Sequence, residues 1–498
     1  MLHISSLKLS FTMVNNMKIF YFLGALMLLI SCSPQKIEQP NFLFILVDDQ
    51  PFDALGFKGR YPFLETPNMD KLAKQGANFN NFFCTQSICS PSRASFLTGT
   101  YSHIHGVNQN NHYVDPDWES YKPYSTHLQN AGYETAMIGK IHMAHFNGEK
   151  HIRPGFDYWY SFKGQGKYFN PEINDNGIEK QVKGYMTDIL TNEAVSWLTK
   201  KRNINKPFSL CLWHKAVHED HLPAPRHENL YQNDTLPYPP YNTHKETFEG
   251  KPEWQRIKAF DTEWRDYKSV DKLPEKPWGS KSDKYMRLLK TLAAVDESIG
   301  TVLETLEQIG ELDNTVIIFS SDNGYFMGEH TYWDKRIAYE NSIRIPMIMR
   351  FPKKINAGTQ IDEMCLNIDL APTILELAKI EKPEYMQGES MVKLFNNKEK
   401  TSWRQSFLYQ YFVDDAYPYA GPDMLAVITD DYKLVDTFLE NDIDELYSLK
   451  NDPGEMSNLI NNPEFDQIER ELRYEMEILK KKYKYNPNRD WWLEEVLK

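Results

Sequence analysis

Residues 41–49 read Asn41-Phe42-Leu43-Phe44-Ile45-Leu46-Val47-Asp48-Asp49, an unbroken apolar run that stops on two carboxylates. A strand with one wet face alternates polar and apolar side chains. A run with no alternation marks a strand covered on both faces, as in a parallel sheet. Thr315-Val316-Ile317-Ile318-Phe319 is a second such run, and it stops at Ser320-Ser321-Asp322-Asn323-Gly324. Leading into it, residues 283–309 place Leu288, Leu292, Val295, Ile299, Val302, Leu306 and Ile309 at helical spacing, a long amphipathic helix. A shorter helix over 66–75 carries Pro67 in its first turn. Strand, helix and strand in alternation predict an α/β sandwich with a mostly parallel central sheet, in which ligands sit at the carboxyl ends of the strands. Both acidic clusters stand at such ends.

Past about residue 395 the texture changes. Met424-Leu425-Ala426-Val427-Ile428-Thr429 and Tyr432-Lys433-Leu434-Val435 read as short strands, and residues 464–482 as a charged helix. The expected organisation is therefore a domain over 40–395 followed by a smaller α+β subdomain over 396–498. Residues 232–282, rich in Pro, Trp, Tyr and charge and without periodicity, read as an excursion over the surface that shapes a substrate pocket. At the other end, Met17-Lys18 precedes twelve apolar residues, 19–30, and then Ser31-Cys32. This is signal-peptide anatomy, too short to span a bilayer. Leu29-Ile30-Ser31-Cys32 resembles a bacterial lipobox, so residues 1–31 are expected to be removed, Cys32 lipidated, and 32–39 to serve as a spacer. Export to the periplasm or cell surface, lipid-anchored to the outer membrane, follows.

The chain has 498 residues, 41% hydrophobic and 25% charged, which excludes overall disorder and allows two or three domains. A formal charge of −13 argues against general affinity for nucleic acid or anionic membrane; the lipid would be the only membrane contact. An anionic ligand therefore requires a locally basic pocket. The 11 Trp, 29 Tyr and 27 Phe are compatible with stacking on sugars and equally with large cores. Cysteines at 32, 84, 89, 211 and 365 are too few and scattered for a disulfide framework.

Asp48, Asp49, Asp322 and Asn323 offer three carboxylates and an amide oxygen at two strand ends. Oxygen donors without Cys/His spacing select a hard cation, calcium first and magnesium second. The plainer alternative is that each pair caps a neighbouring helix. Cys89-Ser90-Pro91-Ser92-Arg93-Ala94-Ser95-Phe96-Leu97-Thr98-Gly99 reads as a short helix with Pro91 early, Gly99 at its end and Cys89 at its N-terminus, where backbone amides favour negative charge. Arg93, one turn on, is placed to point back at position 89.

Cys89-x-Pro91-Ser92-Arg93-x-x-x-Leu97-Thr98-Gly99 resembles the signature of the formylglycine-dependent (type I) sulfatases, which implies an alkaline-phosphatase-like α/β/α sandwich. In that family the motif cysteine is oxidised to formylglycine by a formylglycine-generating or anaerobic sulfatase-maturating enzyme. Cys89 is the matching residue. One hydroxyl of the hydrated aldehyde attacks sulfur and the other later collapses to expel sulfate, which is covalent catalysis with its own release step. Gly139-Lys140-Ile141-His142 is similar to an element that binds the sulfate and the diol, and Lys215-Ala216-Val217-His218 to one whose histidine sits by the leaving oxygen. Asp322-Asn323-Gly324, Gly328-Glu329-His330, Lys335, Tyr339-Glu340, Arg344 and Pro346 follow the second long motif of the family.

The resemblance, which runs over about 40–460, implies catalytic roles for Cys89, Arg93, Lys140, His142, His218 and Lys335. It implies a calcium site of Asp48, Asp49, Asp322 and Asn323 with the modified Cys89. Lys140, Lys335 and Arg93 would offset charge on the sulfuryl oxygens, His218 protonate the departing alcohol and His142 act as base, the two histidine roles being interchangeable at this level. The expected substrate is a sulfated carbohydrate, an oligosaccharide from ulvan or another algal glycan, or a glycosaminoglycan. The rival activities are a phosphodiesterase or phosphonate hydrolase of the same superfamily, and a non-catalytic glycan-binding surface lipoprotein.

Overall fold

The run Asn41–Val47 forms strand β1, buried along its whole length. Leu43, Ile45 and Val47 enter one hydrophobic core while Phe42, Phe44 and Leu46 enter another. Two-sided burial is thus the reason the run lacks a polar period. A computed structural model describes residues 39–110, 115–143, 152–239, 250–255, 282–396, 402–413 and 421–485. The signal-peptide and Cys32 expectations lie outside the described residues, as do 240–249 and 256–281 of the excursion.

Around β1 the chain builds β2 (Ala77–Phe79), β3 (Glu134–Lys140), β4 (Tyr158–Phe162), β5 (Glu172–Asp175), β6 (Ile178–Gln181), β7 (Phe208–Trp213), β8 (Thr315–Ser321), β9 (Met347–Arg350) and β10 (Thr359–Ile361). They form one sheet in the order β10-β2-β9-β8-β1-β7-β3-β4-β5-β6. The five consecutive strands from β8 to β4 are parallel. Antiparallel β9 borders them on one side and the β5–β6 hairpin on the other.

Helices α1 (Pro67–Gln75), α2 (Cys89–Thr98), α3 (Tyr124–Asn130), α4 (Met186–Ser196), α5 (Ser282–Gln308) and α6 (Leu370–Leu377) flank this sheet. Helices α1, α4 and α5 feed the core that holds Leu43, and α2, α3 and α6 the core that holds Phe44. The expected α/β/α sandwich is the observed one. In α5, Leu288, Leu292, Val295, Ile299, Val302 and Leu306 are all buried, as the helical spacing requires.

Helix α5 also caps α1. The first backbone N–H groups of a helix have no partner inside it. Here the buried Asp296 carboxylate accepts from Met69 N–H at 2.9 Å and Asn68 N–H at 3.1 Å. Asp296→Ala leaves those donors without a partner and is expected to cost about 1–3 kcal/mol, read as a lower thermal midpoint with kcat unchanged. Asp296→Asn keeps an acceptor oxygen and should recover part of the loss.

The C-terminal sheet runs β11 (Ser406–Tyr411), β12 (Met424–Thr429), β13 (Tyr432–Asp436) and β14 (Glu445–Ser448), all antiparallel, and α7 (Asp466–Tyr483) lies across it. Its core also takes in Ile88, Tyr101, Ile337 and Tyr339, so it packs behind the segments that lead to Cys89 and away from Lys335. Residues 250–255 depart from the expected surface excursion. Lys251 is buried in this seam, its ammonium donating to the Glu455 carbonyl at 2.7 Å and the Tyr339 hydroxyl at 3.1 Å.

Candidate active site

Register brings the two acidic pairs together. Val47 on β1 lies beside Ser321 on β8, so Asp48-Asp49 and Asp322-Asn323 leave adjacent parallel strands at the same level. Strand β3 delivers Lys140 and then His142, and β7 delivers Lys215 and then His218. Asp48 N–H bonds to Ala216 O at 2.9 Å and Val217 N–H to Asp48 O at 2.8 Å, which ties the His218 segment to the acidic one. Delivery of Lys140 depends on Gly139. Its φ is 122°, and a Cβ there would stand 1.8 Å from the Trp213 carbonyl oxygen on the neighbouring strand. Asp49 and His142 hold left-handed backbone at φ 62° and 57°, conformations that carry strain in non-glycine residues and gather at functional sites.

Cys89 opens α2 and is fully buried. Its Sγ accepts from Lys335 Nζ at 3.2 Å and donates to Asp48 Oδ1 at 3.4 Å. Asp48 pairs with the Lys140 ammonium, and Asp49 with the Lys335 ammonium. Asn323 Nδ2 donates to Asp49 Oδ1 at 2.7 Å. Arg93 turns to the carboxylates, unlike the expected aim at position 89 itself. Its Nε and Nη2 both stand 2.8 Å from Asp322 Oδ2, Nη2 is 3.5 Å from Asp48, and Nη1 donates to the Lys140 carbonyl at 2.6 Å. His218 Nδ1 lies 2.8 Å from Glu219 O, and Nε2 lies 3.8 Å from Asp49 Oδ2. The His142 carbonyl accepts from the Ser90 hydroxyl beside Cys89, while its buried Nδ1 has no partner among the described residues.

The electrostatics follow from this crowding. Burial, then Asp48, pushes the Cys89 thiol up to about 12. Burial also works against Asp48, yet Lys140, His218 and Arg93 outweigh it and hold that carboxyl well below the usual range. Burial and the neighbouring Asp48 push Asp322 up to about 6 despite Arg93. Burial, then Lys140, holds His142 and His218 well below the ordinary imidazole value. Net charge is therefore nearly balanced among the first contacts of Cys89, within a chain whose total is −13.

The donor set fits a hard divalent cation. Ligand atoms of Asp48, Asp49, Cys89 and Asp322 lie within 4.8 Å of one another, and all four residues are buried. Asn323 Oδ1 is buried without a hydrogen-bond partner among the described residues, an acceptor that a cation would satisfy. The residues given catalytic or metal roles from the sequence, Asp48, Asp49, Cys89, Arg93, Lys140, His142, His218, Asp322, Asn323 and Lys335, converge at this one place, whereas Glu329 pairs with Arg60 and His330 packs on Tyr339.

Several side chains at the site carried no sequence signal. Asn110 Oδ1 accepts the Ser90 N–H at 3.0 Å, capping α2 next to Cys89. The Tyr409 hydroxyl, on β11, accepts the Ser87 N–H at 3.4 Å and donates to the Arg336 carbonyl. One phenol thereby links the segment before Cys89 to the residue after Lys335. Gln165 and Tyr168 also reach the site, beside Lys215 of the Lys215-Ala216-Val217-His218 element. A Gly-Gln-Gly turn is a hint for the first of these, since a polar residue between glycines at a strand end is placed for contact.

Comparison with known proteins finds relatives along most of the chain. The sulfatase family model matches residues 40–380, and the model of the N-sulphoglucosamine sulphohydrolase C-terminal region matches 328–482. The chain is 35% identical to an N-acetylglucosamine-6-O-sulfatase of Bacteroides thetaiotaomicron, over 93% of this chain and 90% of that one. It is 32% identical to an extracellular sulfatase SULF-1 homolog of Drosophila melanogaster, over 75% of this chain and 33% of that one. A solved structure described as bound to its substrate, D-glucosamine-2-N,6-O-disulfate, superposes with a TM-score of 0.78 at 33% identity, over 90% of this chain and 99% of that one.

Proposed function

The chain belongs to the sulfatase family, and from that premise we propose that it removes the 6-O-sulfate of a glucosamine or N-acetylglucosamine unit in a sulfated glycan, through a formylglycine made from Cys89. One observation carries the reading. The Cys89 side chain, at a helix N-terminus, stands among three buried carboxylates and three buried cations at the carboxyl ends of β1, β3 and β8. The substrate class is supported by the relative that acts on N-acetylglucosamine-6-O-sulfate and by the neighbour bound to a glucosamine disulfate. Among the sulfated glycans the sequence left open, these likenesses favour an amino-sugar polymer over ulvan.

In this reading the Sγ of Cys89 occupies the place of the nucleophilic oxygen that a maturation enzyme installs. Asp48, Asp49, Asp322 and Asn323 would hold a calcium ion, with magnesium the second choice, and the ion would supply positive charge at the sulfuryl oxygens. Lys335 and Lys140 offer ammonium groups on either side of the nucleophile. Such fixed charges in a dry site stabilise the developing anion without reorganising. Arg93 holds the carboxylates in place. His218 donates from Nδ1 to the Glu219 carbonyl, so Nε2 is the atom that carries a proton to the departing alcohol. Approach of an anionic sulfate favours the protonated ring, against the burial that disfavours it. His142, whose Nδ1 has no partner among the described residues, is the base.

Export and lipidation at Cys32 complete the proposal, on the strength of the leader at 17–32. Among the described residues no helix is long and apolar enough to cross a membrane. The test is ion chromatography of sulfate and phosphate after incubating matured protein with N-acetylglucosamine-6-sulfate, glucosamine-2-N,6-O-disulfate, ulvan oligosaccharides and a phosphodiester. Sulfate from the amino sugars is expected. Phosphate as the main product would overturn the reading in favour of a phosphodiesterase.

A further inference from the structure

Strand β4 ends at Phe162, and the chain turns through Lys163-Gly164-Gln165-Gly166-Lys167 to Tyr168. Gly166 takes φ 65°, and a Cβ there would stand 2.5 Å from the Phe162 ring, so only glycine lets the turn fold back. Two of its side chains reach opposite sides of the active site. Gln165 Oε1 accepts from Lys140 Nζ at 2.5 Å. The Tyr168 hydroxyl donates to the His218 carbonyl at 2.5 Å, and the Lys215 ammonium lies 4.6 Å from the Tyr168 ring centre. Gln165 is half-buried, at the rim, and its Nε2 has no partner among the described residues.

Resting on the sulfatase reading above, we propose that Gln165 is a positioning and specificity residue, holding the Lys140 ammonium through a neutral acceptor and presenting its own amide N–H to the sulfate or the sugar oxygen beside it. An ammonium has three protons. Asp48 takes one and Gln165 a second, which fixes the direction of the third. Charge decides why an amide stands here. A second carboxylate beside Asp48 would overcompensate the fully buried Lys140 and repel an arriving sulfate, whereas the amide orients the lysine without adding negative charge. Tyr168 performs the matching task for His218, so one short turn sets both flanks of the nucleophile.

The experiment compares Gln165→Glu with Gln165→Ala in the matured full chain with calcium. Three quantities are read: kcat and KM on N-acetylglucosamine-6-sulfate, binding of inorganic sulfate by titration calorimetry, and the thermal midpoint. Gln165→Glu, nearly the same shape, is expected to lower kcat/KM and sulfate affinity by roughly a hundredfold and tenfold or more. Gln165→Ala should lose roughly tenfold in kcat/KM, and both variants should melt as the parent does. A glutamate variant with parental kcat/KM and sulfate affinity overturns the proposal. So does an equal loss in both variants with a lowered melting point, which would make the turn merely structural. If the parent chain releases no sulfate while the glutamate substitution still abolishes sulfate binding, the reaction assignment fails and Gln165 keeps its role.

Discussion

Replacing Cys89 with alanine is expected to lower kcat by roughly 10⁴-fold or more, the scale on which removal of a nucleophile acts in covalent enzymes. Folding should survive. Among the described residues the Cys89 side chain makes two polar contacts, to Lys335 Nζ and Asp48 Oδ1. Those partners keep their other neighbours: Lys335 stays paired with Asp49, and Asp48 with Lys140. The cost in stability is that of deleting one small buried group, about 1 kcal/mol. Affinity for inorganic sulfate, carried by cations that the substitution does not touch, should remain within a few-fold of the parent chain. Turnover and binding therefore separate, and the combination to measure is kinetics of sulfate release beside calorimetric sulfate binding. Undiminished turnover in the alanine variant would sink the formylglycine mechanism, whatever the substrate.

The strands that carry the two acidic pairs were legible because two-sided burial leaves no polar period to confuse β1 or β8 with anything else. Helix α2 was legible from Pro91 and Gly99, which mark its start and end in local chemistry. Strands of three residues near the sheet's edge, such as Ala77–Phe79 and Thr359–Ile361, offer too few positions for any period to show. The convergence of Asp48-Asp49 with Asp322-Asn323 rests on the β1–β8 register, a pairing across some 270 residues that local pattern does not encode. Tyr409 belongs to the same class. Its hydroxyl acts on Ser87 and Arg336, far away in the chain, and in the sequence it is one tyrosine of 29. Residues 250–255 misled for a different reason. Pro, Trp and charge imply exposure on average, but Lys251 and Gln255 find enough partners in Glu445, Glu455 and Tyr339 to be buried there.

Asp322→Ala carries the largest expected loss of stability. Arg93 is fully buried, and Asp322 is its nearest carboxylate, at 2.8 Å from both Nε and Nη2. The ion pair is no net gain by itself. Burial and Asp48 push the Asp322 carboxyl up to about 6 in spite of the guanidinium, so the charged form is tolerated at a cost. Removal is nonetheless expensive, because it strands a guanidinium with Asp48 at 3.5 Å as its remaining acid. Breaking a buried pair from one side typically costs about 3–5 kcal/mol. Asp322→Asn keeps the shape and the oxygen that accepts the Asp49 N–H, and should lose less. Calcium separates the electrostatic role from the ligand role. Cation bound at a hundred times its dissociation constant stabilises the parent by about 2.7 kcal/mol, seen as a rise in thermal midpoint. Both variants should lose that rise, the asparagine variant included, since a neutral amide replaces a charged donor. An alanine variant that melts with the parent would mean that Arg93 does not need Asp322. An asparagine variant that still gains the parental rise with calcium would remove Asp322 from the metal site and leave it as the counter-ion of Arg93.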